Sequence, residues 1–319
     1  MFKFIKIFKA KSKIYNGLKN KDNNQFKKAL KCFDEALEIM PECKYAFQYK
    51  GKIYEDMEIY DKALNCFDKA ILQDPHFIDA WISKGRLFNS LKKHDEALNC
   101  FDRCLDLNKD NSYILANKTM VYIEKGDYES ALNCADYNLK IHPEEEICFS
   151  WKAEVFRGME DYENSIKWFK KLTEFNPSYH QGWLQLTLDY YTINKLEEAE
   201  EYLEKSIKLD KNGNHNYVHV ALLKDLGKYK KALKLINRES KVGKYPYYYL
   251  LKGELLEKLN KFDESVKNYE IAIKGFKKLI KKYPKDEDLT DWKQNCENAK
   301  KRLKILKNEK MKMKEGISC

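Results

Sequence analysis

Three observations predict an all-α protein built as a solenoid of stacked helical hairpins. The first is a tetrapeptide that keeps returning. Ala-Leu-Asn-Cys stands at 63–66, 97–100 and 131–134, with Ala-Leu-Lys-Cys at 29–32, and every step is 34 residues. The second is a pair of small residues twelve apart that recurs with the same period: Gly17/Ala29, Gly51/Ala63, Gly85/Ala97, Thr119/Ala131, Ala153/Ser165, Thr187/Ala199 and Gly253/Ser265. Small residues on facing helices remove the bulk at a crossing and let two axes approach closely. The third is the apolar stripe around each pair. Before and after the first small residue stand Phe47 and Tyr54, Trp81 and Phe88, or Trp183 and Tyr190, and four after the second stands Phe33, Phe67, Phe101, Phe169 or Tyr269. Spacings of i, i+4 and i+7 mark one face of a helix. At so regular a period the aromatics read as core, not as a cofactor pocket.

Composition agrees with a folded chain: 319 residues, 43% hydrophobic and 34% charged. No run of 18 apolar residues exists to cross a membrane as a helix. The opening "MFKFIKIFKAKSKIYNGL" interrupts its apolar part with a lysine at every third position, unlike a secretory signal. Cytoplasm is the expected location. Of the nine cysteines, Cys32, Cys66, Cys100 and Cys134 fall at one point of successive repeats. That places them about a helix-pair width apart, too far to bridge. They read as structural thiols, since free cysteine behaves as a small hydrophobe. Cys100 and Cys104 form one i, i+4 pair with no further ligands in view, so neither metal nor cofactor is expected. The net charge of +10 gathers at the ends: residues 1–31 hold ten lysines against Asp22, and 274–319 hold fifteen Lys/Arg against seven Asp/Glu.

In chain order, residues 1–9 form a basic amphipathic segment. An array over 10–279 follows, with hairpins at 10–43, 44–77, 78–111, 112–145, 146–179, 180–213, 214–245 and 246–279. A basic capping helix and tail occupy 280–319. Turns such as "EDMEIYDKA", "EKGDYESA", "RGMEDYENS" and "KDLGKYKKA" set polar or glycine residues before an aromatic that opens the next helix. Pro41, Pro75, Pro143 and Pro177 each close a repeat, where proline stops one helix and can start another. The three glutamates of "PEEEICF" at 143–149 suit the first turn of a helix, which outweighs reading them as a catalytic cluster. The copy at 10–43 lacks its leading aromatic, and that at 214–245 is a residue or two short. From 288 onward Leu289, Trp292, Cys296, Ala299, Leu303 and Leu306 recur at helical intervals and predict a cap; residues 1–18 are expected to cap the other end. One hairpin cannot bury its own apolar face, whereas stacked hairpins bury each other's.

The pattern W-x-x-x-G-x-x-Y, then A-x-x-x-F-x-x-A and P, resembles the tetratricopeptide repeat. Here it reads Trp81, Gly85, Phe88, Ala97 and Phe101 in one copy, and Phe47, Gly51, Tyr54, Ala63, Phe67, Ala70 and Pro75 in another. The resemblance covers about residues 10 to 280. It implies a right-handed superhelical solenoid whose concave face is lined by the first helices, with a protein or peptide as partner. Relative to the small residue, positions −4, 0 and +3 form the core stripe. Positions −6, −3, +1 and +4 form a second stripe, with −2 beside it. From these come the candidate groove residues Tyr45, Gln48, Tyr49, Lys52, Arg86, Tyr113, Asn117, Met120, Trp151, Glu154, Leu184, Gln185 and Leu188. Amides can hydrogen-bond an extended backbone, and Tyr and Trp supply large contact area. Tyr113, Met120, Trp151, Leu184 and Leu188 are expected to make an apolar patch within the concavity. Some members of the resembled family grip a partner's terminal carboxylate with five set residues. No frame of this chain matches more than one of the five.

No phosphate-cradling Gly-x-x-x-x-Gly-Lys, no Gly-x-Gly-x-x-Gly and no His-Glu-x-x-His occurs. His215 and His219 stand one helical turn apart, a spacing that can hold a metal, but without a third ligand they read as surface or groove histidines. The expectation is a protein-interaction scaffold with no catalysis, no cofactor and no small-molecule substrate. A second reading gives the basic ends, including "KKRLKILKNEKMKMK" at 300–314, to RNA or an anionic membrane surface. Solvated faces of terminal helices are the preferred reading of those ends.

Overall fold

The 34-residue period takes physical form as an antiparallel helix pair. A computed structural model describes residues 2–210, 216–237, 246–284 and 288–314, with side chains from 4 to 308 except 216 and 217. Among the described residues there are helices and no strand. The chain divides into two compact units, 1–176 and 177–319.

The first unit runs α1 (Phe2–Asp22), α2 (Phe26–Ile39), α3 (Lys44–Asp56), α4 (Tyr60–Gln73), α5 (Ile78–Ser90), α6 (His94–Leu107), α7 (Ser112–Lys125), α8 (Tyr128–Ile141), α9 (Glu146–Gly158) and α10 (Tyr162–Phe175). Consecutive helices pair into hairpins, and each odd helix also touches the next odd one. Ala29, Ala63, Ala97, Ala131, Ala153 and Ser165 are all fully buried at the crossings, as are Phe33, Phe67 and Phe101. The small and the aromatic signals have one cause. A Cβ placed on Gly51 would lie 2.5 Å from the Phe67 ring, and one on Gly17 would lie 2.5 Å from Phe33. The aromatic of the second helix fills the space that the glycine of the first leaves open.

The helix ends follow from local chemistry. Pro41, Pro75, Pro143 and Pro177 each directly follow the C-cap of an even helix, at Met40, Asp74, His142 and Asn176. The indole N–H of Trp81 donates to the Pro75 carbonyl at 3.0 Å, which ties the next first helix to that turn. Asn111, Asp127 and Asp161 cap their helices by accepting from backbone N–H groups. Inside each hairpin the turn needs a left-handed residue. Asn24, Glu58, Lys92, Gly126, Glu160 and Asn194 all have positive φ and stand 34 apart. Next come Gly227 and Asn260, each 33 residues on. Only two of these eight turns use glycine, the residue for which this backbone carries no steric cost.

Neighbouring hairpins of the first unit are also joined by a column of ion pairs. Asp34 pairs with Lys50, Asp68 with Lys84 at 2.6 Å, Asp102 with Lys118 at 2.5 Å, and Asp136 with Lys152. In every case an aspartate of one second helix meets a lysine of the following first helix. Burial of Lys118 opposes its charge, but Asp102 outweighs it and raises the ammonium's pKa. The aspartates are about half exposed. Each pair therefore contributes at most about 1 kcal/mol, and its effect is chiefly on register.

The thiol column is only partly interior. Cys66 and Cys100 are buried, while Cys32 and Cys134 are half-buried. Burial pushes the Cys100 thiol up to about 11 and that of Cys104 up to about 12. Since the thiolate is the nucleophile, both should resist alkylation in native buffer at pH 8 and react once the chain is unfolded. Site-resolved mass spectrometry after iodoacetamide treatment checks this. Rapid native labelling of either thiol would contradict the packing.

The second unit contains α11 (His180–Thr192), α12 (Leu196–Leu209), α13 (Asn216–Asp225), α14 (Tyr229–Asn237), α15 (Pro246–Lys258), α16 (Phe262–Lys282) and α17 (Leu289–Lys314). Leu184, Leu203, Val220, Leu223, Leu235 and Leu255 share one apolar cluster. Trp292, Cys296, Ala299 and Leu306 of α17 bury against Tyr269, Ala272 and Phe276 of α16. The histidine pair needs correcting. His215 lies outside the described residues, and His219 is fully buried rather than on a surface. Its Nε2 is 3.0 Å from the Ser206 hydroxyl, which is equally buried, and Asp210 is 3.9 Å from its Nδ1. The order serine, histidine, aspartate suggests catalysis, but with the hydroxyl and imidazole sealed from solvent this is a polar contact joining α12 to α13.

Candidate functional site

In the first unit the odd helices line a groove of about 580 Å³. α3 contributes Gln48, Lys52, Glu55 and Asp56, while α5 contributes Ile78, Asp79, Ile82, Ser83 and Arg86. Lys21 of α1, Asn111 and Tyr113 close it at its two ends. The rise of a helix and its 3.6-residue turn put −3, +1 and +4 on one side of α3. Gly51 faces α4, so Gln48, Lys52 and Glu55 turn toward the groove.

The electrostatics are mixed. Lys21 pairs with Asp56 at 3.5 Å, which links α1 to α3. Arg86 donates from Nη1 to the Tyr113 hydroxyl at 3.5 Å, which links α5 to α7. Burial pushes the Glu55 carboxyl up, with the Arg86 guanidinium pulling the other way. Among the described residues Lys52, Arg86 and Glu55 make no ion pair. Gln48 is only 3% exposed, and among the described residues its carboxamide makes no hydrogen bond. The groove is where solvent reaches that carboxamide, so a bound chain can take the place of water on it.

The thirteen residues expected in a groove are not all brought together. Gln48, Lys52, Arg86 and Tyr113 are. Tyr45 sits at the start of α3 with its ring edge-on to Phe77 at 5.1 Å, and Tyr49 stacks on Phe33 at 5.8 Å among core residues. Asn117 is buried and its Nδ2 already donates to the Tyr113 carbonyl at 2.6 Å. Met120 on α7 and Trp151 on α9 are half-buried, and Glu154 bonds Arg157 one turn on at 3.3 Å. Gln185 is half-buried on α11. The expected apolar patch is corrected at two of its members. Leu184 is 4% exposed within the core cluster of the second unit, and Leu188 packs against that cluster. In α11 the −3 and +1 positions belong to an apolar cluster shared with α12, α13, α14 and α15, so they are consumed by packing.

Glu55 and Lys21 were missed, although both stand at +4 of their helix, a position already on the predicted stripe. Asn111 gave no groove signal, because its visible role is the N-cap of α7.

Comparison with known proteins agrees with this architecture. Tetratricopeptide repeat family models match residues 78–111, residues 46–77, 149–179 and 184–212, and residues 247–286. Together the matches cover just over half of the chain, which belongs to the tetratricopeptide repeat family. Membership makes it a repeat scaffold for protein–protein interaction. No curated protein matches the sequence. Among solved structures it is similar to yeast Tom70, with a TM-score of 0.73 and 16% identity over 97% of this chain and 68% of that one. It is also similar to a tetratricopeptide repeat protein from Parabacteroides merdae, with a TM-score of 0.56 and 14% identity over 91% of this chain and 98% of that one. At such identities the likeness is one of fold.

Proposed function

We propose that the first unit holds an extended peptide segment of a protein partner along α3, α5 and α7, and that the chain performs no chemistry of its own. The observation that carries this reading is Gln48, whose carboxamide lines the groove without a partner. An extended backbone offers both the donor and the acceptor that an amide needs. Lys52 and Arg86 suit acidic side chains of the segment, Glu55 a basic one, and Tyr113 with Ile82 supplies apolar contact.

A photoreactive residue at Tyr113, compared with one at the exposed Tyr137 of the second helix α8, tests the assignment. Crosslinked peptides should come from the Tyr113 position and not from Tyr137. Replacing both groove cations, Lys52→Ala with Arg86→Ala, should weaken capture by roughly 10- to 100-fold, the usual worth of a charged hydrogen bond or two. Equal recovery from both positions, or capture that ignores the double substitution, would show that the groove is not the binding surface.

A further inference from the structure

The phenylalanines that fill the crossings of the repeat go inside: Phe33, Phe67, Phe101 and Phe169 are 0% exposed. Those of α1 do not. Phe4 is 83% and Phe8 76% exposed, with Tyr15 at 69% and Ile5 at 46%. α1 commits its other side to the hairpin, where Ala10 is buried, Gly17 lies under the Phe33 ring, and Ile14 and Leu18 pack with α2. One side of α1 thus packs on α2, and its aromatic side is left uncovered. Positions i, i+4 and i+11 fall within about 40° of each other on a helix of 100° per residue. Phe4, Phe8 and Tyr15 thus form one stripe, with Lys11 and Lys19 on its borders.

The charge around that stripe has a single sign. No acidic residue occurs before Asp22. Lys13 and Lys21 are taken up by Glu35 and Asp56. Among the described residues Lys6, Lys9, Lys11 and Lys19 make no ion pair. We propose that α1 docks this face on an anionic lipid surface. The helix lies in the interfacial plane, with Phe4, Phe8 and Ile5 seated among the acyl chains and Lys9, Lys11 and Lys19, which flank that face, on headgroup phosphates. Amphipathic helices with aromatic and aliphatic residues on one face and lysines beside them bind membranes in this way. Ile5 favours lipid over nucleic acid, because a branched aliphatic has no π-face on which a base can stack. The cations favour lipid over a second copy of the chain, because two such helices would bring like charges together.

Co-sedimentation of the full chain with phosphatidylcholine vesicles, with and without phosphatidylserine, tests this. Binding should require phosphatidylserine and weaken as salt is raised. The pair Phe4→Ser and Phe8→Ser should lower the partition coefficient on the order of 100-fold. The triple Lys9→Gln, Lys11→Gln and Lys19→Gln should lower it similarly on anionic vesicles. Both sets are exposed and should leave the helical circular dichroism unchanged. If the aromatic variant loses helix, the lysine variant and the dependence on phosphatidylserine still decide. Wild type that stays in the supernatant, or binding indifferent to the lysines, overturns the proposal. So does single-stranded RNA binding without vesicle binding, or a dimer that Phe4→Ser and Phe8→Ser dissolve without any vesicle binding.

Discussion

Replacing Phe67 by alanine should lower local stability by roughly 3–5 kcal/mol, the usual cost of emptying a buried aromatic site. Phe67 is fully buried, lies against Gly51, and shares its cluster with Ala63 and Leu87. The residues that could collapse into the cavity are few. Gly51 has no side chain to offer, and Leu87 belongs to the next hairpin. In a repeat stack each hairpin is stabilised by its neighbours, so the loss should concentrate in α3, α4 and α5. A single unfolding free energy is poorly defined for such a chain. Native-state hydrogen exchange is therefore the suitable measurement. Amides of those helices should exchange roughly 100- to 4,000-fold faster, following from the same energy range. A change of less than tenfold would mean that the ring is not the filling of the crossing.

Gly51→Ala should also destabilise, although helix propensity argues for the opposite. Within a helix alanine is favoured over glycine by about 1 kcal/mol. The new Cβ would stand 2.5 Å from one Phe67 ring carbon and 2.7 Å from another. A ring enclosed on all sides cannot swing away, and overpacking of a filled core costs about 1–3 kcal/mol. The clash should win by about 1 kcal/mol. The sign should reverse in a Phe67→Leu background, where the space opens and the propensity term remains. Such a double-mutant cycle isolates the coupling between two touching residues. If Gly51→Ala stabilises the wild-type chain, the crossing is looser than the small-residue pattern implies. The same substitution shifts α3, which carries Gln48, Lys52 and Glu55, so it should also reduce crosslinking from Tyr113.

The candidate site was partly readable for the same reasons. Gln48, Lys52, Arg86 and Tyr113 were reached by counting from the small residue, because a helix face follows from sequence spacing once the core side is known. Glu55 and Lys21 lay one turn further along that count. Leu184 was misplaced because its position in the count is the same as that of Gln48, yet the helix beside it differs. Gln48 opens on a mostly polar groove, whereas Leu184 lies in an apolar cluster with Val220, Leu222 and Leu223. Glu58, Lys92 and Glu160 gave no turn signal of the glycine kind, yet all three adopt positive φ. The hairpin closes there because the packed helices on either side outweigh a local strain of order 1 kcal/mol.

Sequence by itself determined the hairpin: its 34-residue length, the small residues at its crossing, the aromatics that fill it and the prolines that end it. Each of those is a contact within one pair of helices, and such contacts repeat whenever the residues repeat. Tertiary structure alone decided which of the remaining faces stay open. Whether Gln48, Leu184 or Phe8 meets water, a neighbour or a partner depends on the residues that the adjacent helix sets against it, and those residues do not repeat.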